Sequence, residues 1–171
     1  SVPLSVFGQG IVSGLTNQNY VAVCFYFFLG EIMTNGGLGD RLIEFLDACI
    51  GRVRGSLSHI NIINSMVFAG VSGSAVADAA SVGAMELNLM KKAGYPAGYA
   101  AAVTAISSTI GPIIPPSSGL VMLGVYFGYS VRRLYLGGVI PGILMGVAML
   151  IVSAIMAKKR NFPYSPWRGW H

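Results

Sequence analysis

The sequence predicts an all-α integral membrane protein built around a re-entrant helical hairpin and a discontinuous helix. Three observations lead there. Charged residues make up only 10% of the chain and apolar types 54%, whereas a soluble domain covers itself with about 25% charge. Two apolar stretches are interrupted by small, hydroxylated and proline residues at what would be membrane depth. The basic residues sit between apolar runs, in the pattern of loops that stay on one side of a bilayer.

Mean hydropathy is +0.66, and a chain of 171 residues holds only a few spans at about 20 residues each. The 23 glycines suit close helix packing in lipid. The net charge of +5 does not point to nucleic acid, because the sequence offers no basic face interleaved with aromatic or polar readers. Cys24 and Cys49 have no CxxC or Cys/His spacing, so both are read as small buried hydrophobes rather than metal ligands or a disulfide. Ser1 is not a start residue and no signal peptide is visible, so a preceding N-terminal portion is expected.

The elements follow in order. Residues 1–37 form an N-terminal membrane segment, mixed up to residue 19 and strongly apolar from Tyr20 to Met33. Thr34-Asn35-Gly36-Gly37 stops it, with glycine supplying the turn. Residues 38–56 form an arm helix. Within it Leu42, Ile43, Leu46, Cys49 and Ile50 make one stripe, with Arg41, Glu44, Asp47 and Arg52 off it. Such a helix lies in the membrane interface or packs on a neighbouring subunit.

Residues 57–130 read as one unit, a re-entrant hairpin followed by a broken helix. Residues 57–92 carry two short helical arms around the small-residue run Val71-Ser72-Gly73-Ser74-Ala75. Leu57 to Val71 is 15 residues, roughly 22 Å of helix and short of a ~30 Å hydrocarbon core. Length therefore favours a hairpin whose tip stops inside the membrane. Residues 95–129 are broken by Ser107-Ser108-Thr109-Ile110-Gly111-Pro112-Ile113-Ile114-Pro115-Pro116-Ser117-Ser118. The prolines and glycine forbid a continuous helix, which predicts a half-helix, an unwound middle and a second half-helix. Residues 131–160 hold an ordinary span from Leu134 to Ala157, with Gly138, Gly142 and Gly146 on one face for helix packing. Residues 161–171 are a polar, aromatic tail.

This topology sorts the charges. Arg41, Arg52, Arg54, Lys91, Lys92, Lys158, Lys159 and Arg160 fall on one side and only Arg132 and Arg133 on the other. The richer side is then cytoplasmic. Two full spans in place of the hairpin would sort them equally, so charge alone does not prove re-entry.

Chemistry is expected at the two breaks. Unwound backbone is costly in lipid unless it is buried in protein or faces a watery cavity. Its freed carbonyls suit a small hard cation, and half-helix N-termini suit an anion. The competing structural reading is a proline-kinked helix packed on a serine-rich neighbour. Asp78 either caps the second hairpin arm, the first expectation, or is a functional intramembrane acid. Glu31 and Glu86 fall near expected helix ends and are read as interfacial, and Asn61 and Asn64 as bonding across helices. Gly70-Val71-Ser72-Gly73 matches the G-x-S-G of intramembrane serine proteases. The nearest His59 lies about 20 Å back along the same helix, too far to activate Ser72.

Two long motifs carry a resemblance. Phe68-Ala69-Gly70-Val71-Ser72-Gly73-Ser74-Ala75-Val76-Ala77-Asp78-Ala79-Ala80 resembles the first hairpin of the large membrane permease subunits of TRAP transporters, in their N-terminal portion. Gly94-Tyr95 and the run from Ala100 through Ser107-Ser108-Thr109-Ile110-Gly111-Pro112-Ile113-Ile114-Pro115-Pro116-Ser117 resemble the broken helix that follows. Leu29-Gly30-Glu31-Ile32-Met33 and Gly36-Gly37 are also similar, and the likeness runs from about Pro3 to Arg160.

The resemblance implies one half of an inverted-repeat elevator transporter of the ion-transporter type in the bacterial inner membrane. It implies Na+-driven import of organic acids such as dicarboxylates or sialic acid, with Na+ as coupling ion and no organic cofactor or enzymatic activity. The implied partners are a small TRAP membrane subunit, a periplasmic substrate-binding protein and the lipid bilayer. Carried over by motif, Na+ would lie among Ser72, Ser74, Gly111, Ile114 and Pro116. Substrate would meet Ser74, Asp78, Ser107, Ser108 and Thr109. Three departures stand against the family pattern: no counterpart of its first helix, none of its second repeat, and Val23-Cys24-Phe25-Tyr26 where Ile-Pro-Phe-Phe-like residues are usual. A half-length scaffold module that needs a partner chain is the alternative.

Overall fold

The structure, a computed structural model, describes residues 4–16, 24–25, 28–29, 32–33 and 35–163; the side chains of residues 4–5, 14–16 and 69–72 are outside that description. Eight helices are defined there: α1 (Leu4–Thr16), α2 (Leu38–Ile50), α3 (Ser56–Ser72), α4 (Ala75–Ala80), α5 (Val82–Lys92), α6 (Ala97–Ser108), α7 (Ser118–Phe127) and α8 (Val131–Lys159). No strand occurs among the described residues.

Helix α2 buries Ile43 and Leu46 and leaves Arg41 and Glu44 exposed, as its stripe requires; Asp47 is half-buried, and Arg52 is exposed just beyond the helix. Cys49 departs from the sequence reading and is exposed. It is not among the residues that α2 buries, Gly39, Ile43 and Leu46. Cys24 is exposed as well, beside exposed Phe25, Phe28, Leu29 and Ile32, an apolar surface suited to lipid. Most of the Tyr20–Met33 run, including Glu31, lies outside the described residues.

The hairpin folds back on itself. Helix α3 has 17 residues, about 25 Å, and stops at Gly73, whose φ of 64° lies in the left-handed region open to glycine. The second arm was expected to be continuous, but it is broken at Ser81, with φ −95° and ψ −92°. Gly83 lies two residues beyond the break. A Cβ there would collide with the Thr104 side chain, so the absence of one lets α5 press against α6.

The apolar core gathers at one end of the bundle. Ile43, Leu46, Leu57, Ile60, Met90, Tyr95, Ala100, Ala157 and Phe162 pack together there. Tyr95 and Tyr99 hold Phe162 at ring distances of 4.8 and 4.6 Å. At the same end Arg54 Nη1 donates to Asn161 Oδ1 at 2.6 Å, and Tyr95 OH donates to the Pro163 carbonyl at 3.3 Å. The loops carrying Arg52 and Arg54, Lys91 and Lys92, and Lys158 to Arg160 are thereby brought together. Arg132 and Arg133 open α8, whose 29 residues set them ~40 Å away.

Helix α8 is long and apolar enough to cross a membrane, with a mean hydropathy of 2.5 in its best window. Leu136, Ile140, Ile143, Leu144, Val147, Ile151, Val152 and Ile155 are exposed along it. Its buried face is Gly138, Gly142, Gly146, Ser153 and Ala157. The glycines do more than pack helix on helix. A Cβ on Gly138 or Gly142 would meet Ile113 or Ile114, so α8 lies directly against the unwound turn. Gly138 also faces Leu120 of α7, and Gly146 faces Met66 of α3.

Candidate functional site

The hairpin tip and the break in the second motif meet. Helix α6 ends at Ser108, α7 begins at Ser118, and the chain between them turns without regular helix. Ser118 Oγ donates to the Gly73 carbonyl at 3.1 Å, tying the tip to the start of α7. A side chain on Gly73 would overlap Ser118. Ser74 is the N-cap of α4: its hydroxyl accepts from the Ala77 amide at 3.2 Å. Ser117 does the same for α7, accepting from Leu120 N at 3.3 Å while donating to the Pro112 carbonyl at 2.7 Å.

The polarity of this meeting follows from helix ends. Helices α3 and α6 finish here and turn carbonyls toward the break, an environment that favours a cation. Helices α4 and α7 start here and present amides, which favour an anion. Between α4 and α6 opens a cleft of about 500 Å³ lined by Ala75, Val76, Ala79, Ala80, Ala105 and Ser108. No basic residue lines it.

The residues singled out in the sequence fall into distinct places. Ser74 is at the tip, half-buried. The Ser72 side chain lies outside the described residues. Gly111 is buried at the start of the turn, Ile114 packs its side chain on Gly142, and Pro116 lies exposed two residues before the Ser118 contact. Ser107 and Ser108 are buried. Ser107 Oγ donates to Asn61 Oδ1 at 2.8 Å, and Ser108 Oγ to the Thr104 carbonyl at 2.9 Å. Thr109 is exposed and donates to the Ile106 carbonyl at 2.6 Å.

Asp78 and Glu86 differ from the sequence reading. The cap is Ser74, and Asp78 instead turns into the bundle at 1% exposure, beside the Ser65 and Ser108 hydroxyls. Glu86, expected at an interface, is 3% exposed. It lies mid-helix because α5 begins only at Val82, and its Oε1 accepts from Asn64 Nδ2 at 2.7 Å. Asn61 does bond across helices, donating to Thr104 Oγ1 at 2.9 Å, and Ser65 Oγ donates to Ser107 Oγ at 3.1 Å. Sequence reasoning missed that these groups form one buried polar layer among α3, α4, α5 and α6. The i, i+3, i+4 run Asn61, Asn64, Ser65 along α3 was the available signal.

The protease-like motif does not assemble. His59 and Ser72 both lie on α3, and His59 Nδ1 is engaged with the Gly55 carbonyl at 2.8 Å.

Comparison with known proteins places these features in a family. The family model of the tripartite ATP-independent periplasmic transporter DctM component matches residues 1–169. The chain is 37% identical over 166 residues to a sialic acid TRAP transporter large permease of Vibrio cholerae, covering 97% of this chain and 39% of that protein. It is also 37% identical over 166 residues to a C4-dicarboxylate TRAP transporter large permease of Pseudomonas aeruginosa, covering 96% and 39%. A sialic acid TRAP transporter permease of Haemophilus influenzae matches at 37% identity over 158 residues, covering 92% and 26%. The chain thus spans between 26% and 39% of the length of these relatives.

Proposed function

This chain belongs to the DctM component family of tripartite ATP-independent periplasmic transporters, and from that premise we propose that it supplies the first transport-domain half of a Na+-coupled importer of organic acids. The observation that carries the reading is the contact between the two interrupted elements, Ser118 Oγ on the Gly73 carbonyl. A proline-kinked helix packed on a neighbour needs no such tie between a hairpin tip and a helix start. A site that opens and closes with the tip does.

In this reading Na+ lies between the tip and the turn. Ser74 and the backbone of Gly111, Ile114 and Pro116 are its ligands, with Ser72 from the end of α3. Na+ takes oxygen ligands only, and the ends of α3 and α6 add the negative ends of two helix dipoles. The substrate carboxylate approaches the α4 and α7 starts from the cleft at Ser108, with Ser107, Thr109 and Asp78 behind it. The cleft itself is apolar, so a cation for a carboxylate must come from outside this chain's lining. Dicarboxylates and sialic acid are the substrate classes that the relatives' names suggest.

The assembly includes a small membrane subunit and a periplasmic binding protein in a bacterial inner membrane. Movement is of the elevator kind: the hairpin and broken helix travel while α2 and α8 brace them. The eight-to-two sorting of basic residues sets the hairpin's open end in the cytoplasm.

The test is uptake into proteoliposomes holding the complete permease, its small subunit and the binding protein, with labelled succinate and sialic acid as probes. The reading predicts accumulation of one of them under an inward Na+ gradient, none under an equal K+ gradient, and loss in Ser74→Ala. Uptake equal under both gradients would contradict Na+ coupling.

A further inference from the structure

Glu86 is enclosed in the polar layer of the hairpin, at 3% exposure. Its Oε1 accepts from Asn64 Nδ2 at 2.7 Å. Its other oxygen, Oε2, is buried without a hydrogen-bond partner, and so is Oδ1 of the same Asn64. Asn64 is itself fully buried. One amide and one carboxyl group thus share one hydrogen bond, and each is left with one bare acceptor.

Nothing around Glu86 supplies a counter-charge. Helices α3, α4 and α6 pack against α5, and α2 touches it where Gly39 meets Val82. No Lys, Arg or His is among the buried groups of the described residues. On α3, His59 is engaged with the Gly55 carbonyl, and on α6 the Tyr99 hydroxyl bonds Ser153. Helix α4 brings a second buried acid, Asp78. On α2, Asp40, Arg41 and Glu44 are exposed and Asp47 is half-buried, while Lys91 and Lys92 are exposed at the end of α5 itself. An ionised Glu86 would have one hydrogen bond and no cation, a costly state for a buried charge.

A carboxylic acid resolves this. Its O–H is a donor, and Asn64 Oδ1 is a bare acceptor on the group that already holds Glu86. A proton on Oε2 that donates there closes a pair with two hydrogen bonds. It removes both bare acceptors and the buried charge together. We propose that Glu86 binds a proton, and that Glu86 and Asn64 join the two hairpin arms as a neutral acid–amide pair. The proton comes from bulk water as the hairpin closes and returns to it when the pair opens. The pair does not depend on the charge of Asp78: an ionised Asp78 disfavours a second charge nearby, and a neutral one leaves the pair as it is.

The placement gives the proton a role. Asn64 is on α3 and Glu86 on α5, beyond the break at Ser81. The pair therefore ties the first arm of the hairpin to the far piece of the second. Loss of the proton leaves a charge that only water can solvate, so the arms must part there before Glu86 ionises. Proton release is thereby coupled to separation of the arms. The proposal does not rest on the Na+ position assigned to the tip.

Infrared difference spectroscopy on the purified complete transporter tests this, with Glu86→Gln as the main variant. Glutamine keeps the carbonyl acceptor for Asn64 Nδ2 and offers an NH2 donor to Asn64 Oδ1, so the variant should fold as wild type does. Wild type minus variant at neutral pH should show a carboxylic-acid band and no carboxylate bands, in NaCl and in KCl alike. Asn64→Leu removes both hydrogen bonds and should shift that band. Unfolding equilibria give a second readout. A group that keeps its proton when folded and loses it when unfolded makes stability fall as pH rises. Across mildly acidic pH, above the ordinary carboxyl range, the folding constant of wild type should fall relative to that of Glu86→Gln by up to about tenfold per pH unit, the slope of one proton.

Carboxylate bands in place of the acid band overturn the proposal. So does an acid band present in KCl and lost in NaCl, which would put a cation in the proton's place. A ratio of the two folding constants that does not change with pH overturns it too. A Glu86→Gln that fails to fold contradicts it as well, because an amide replaces a neutral acid without loss of either hydrogen bond. An acid band unmoved in a folded Asn64→Leu overturns the pairing with Asn64.

Discussion

At the scale of single residues, the tip rests on Gly73. Its φ is 64° and a Cβ would overlap Ser118. Gly73→Ala should therefore cost about 1–3 kcal/mol from the backbone conformation alone, with a further penalty from the overlap, read as a lowered melting temperature in detergent. Asn61 is the second such residue. It donates to Thr104 and accepts from Ser107, all fully enclosed. Asn61→Ala takes the donor from the Thr104 hydroxyl, while Ser107 keeps Ser65 and the Thr104 carbonyl, and should cost about 1–3 kcal/mol. The double variant with Ser107→Ala should cost less than the sum of the two singles, which a double-mutant cycle measures. Little of this was legible in the sequence. Glycine and serine at a break announce themselves by type, and Gly73 was placed correctly on that ground. Whether Ser107 points at substrate or at Asn61 depends on which helix lies opposite, and no local pattern carries that. Asp78 shows the same limit, because either Ser74 or Asp78 could cap by type and spacing.

At the scale of elements, two helix interruptions were readable because Gly and Pro enforce them regardless of tertiary context. The break at Ser81 was not. Only Gly83 lies near it as a signal, and that glycine is pressed against the Thr104 side chain of a helix some twenty residues on. The glycines of α8 test the packing between elements. Gly142→Ala would push α8 off Ile114 and distort the turn, so it should lower stability and blunt any response to Na+. Gly137 has nothing within 4 Å of its would-be side chain. Gly137→Ala should be neutral or stabilising by roughly 0.5–1 kcal/mol, since alanine is the better helix former. Thermal melts of the two variants side by side provide the comparison, and equal effects would mean that α8 does not press on the turn.

At the scale of the whole molecule, the sorting of the basic residues is an expectation about orientation. The structure joins their loops through Arg54 to Asn161 and Tyr95 to Pro163. Lys91→Cys should react with an impermeant maleimide only from the cytoplasmic side, and Arg133→Cys only from the opposite side. Labelling of both from one side would refute the topology. The exposed apolar length of α8 and the cleft without a basic residue both look outward to lipid or to further protein. That is consistent with a chain that spans 39% of its Vibrio cholerae relative.

The central claim is a Na+ site where the tip meets the turn, and a thermal shift measures it most directly. The purified complete transporter is melted in NaCl and in KCl at equal ionic strength, alongside Ser74→Ala. An ion that binds only the folded state stabilises it by about 2.7 kcal/mol at one hundred times its Kd. Because Ser74 is also a helix cap, its replacement should lower both curves by about 1 kcal/mol. The informative quantity is therefore the difference between the salts. The account predicts a rise of a few degrees in Na+ over K+ that shrinks in Ser74→Ala. A Na+ effect of the same size in wild type and Ser74→Ala, or none in a folded wild type, would contradict it.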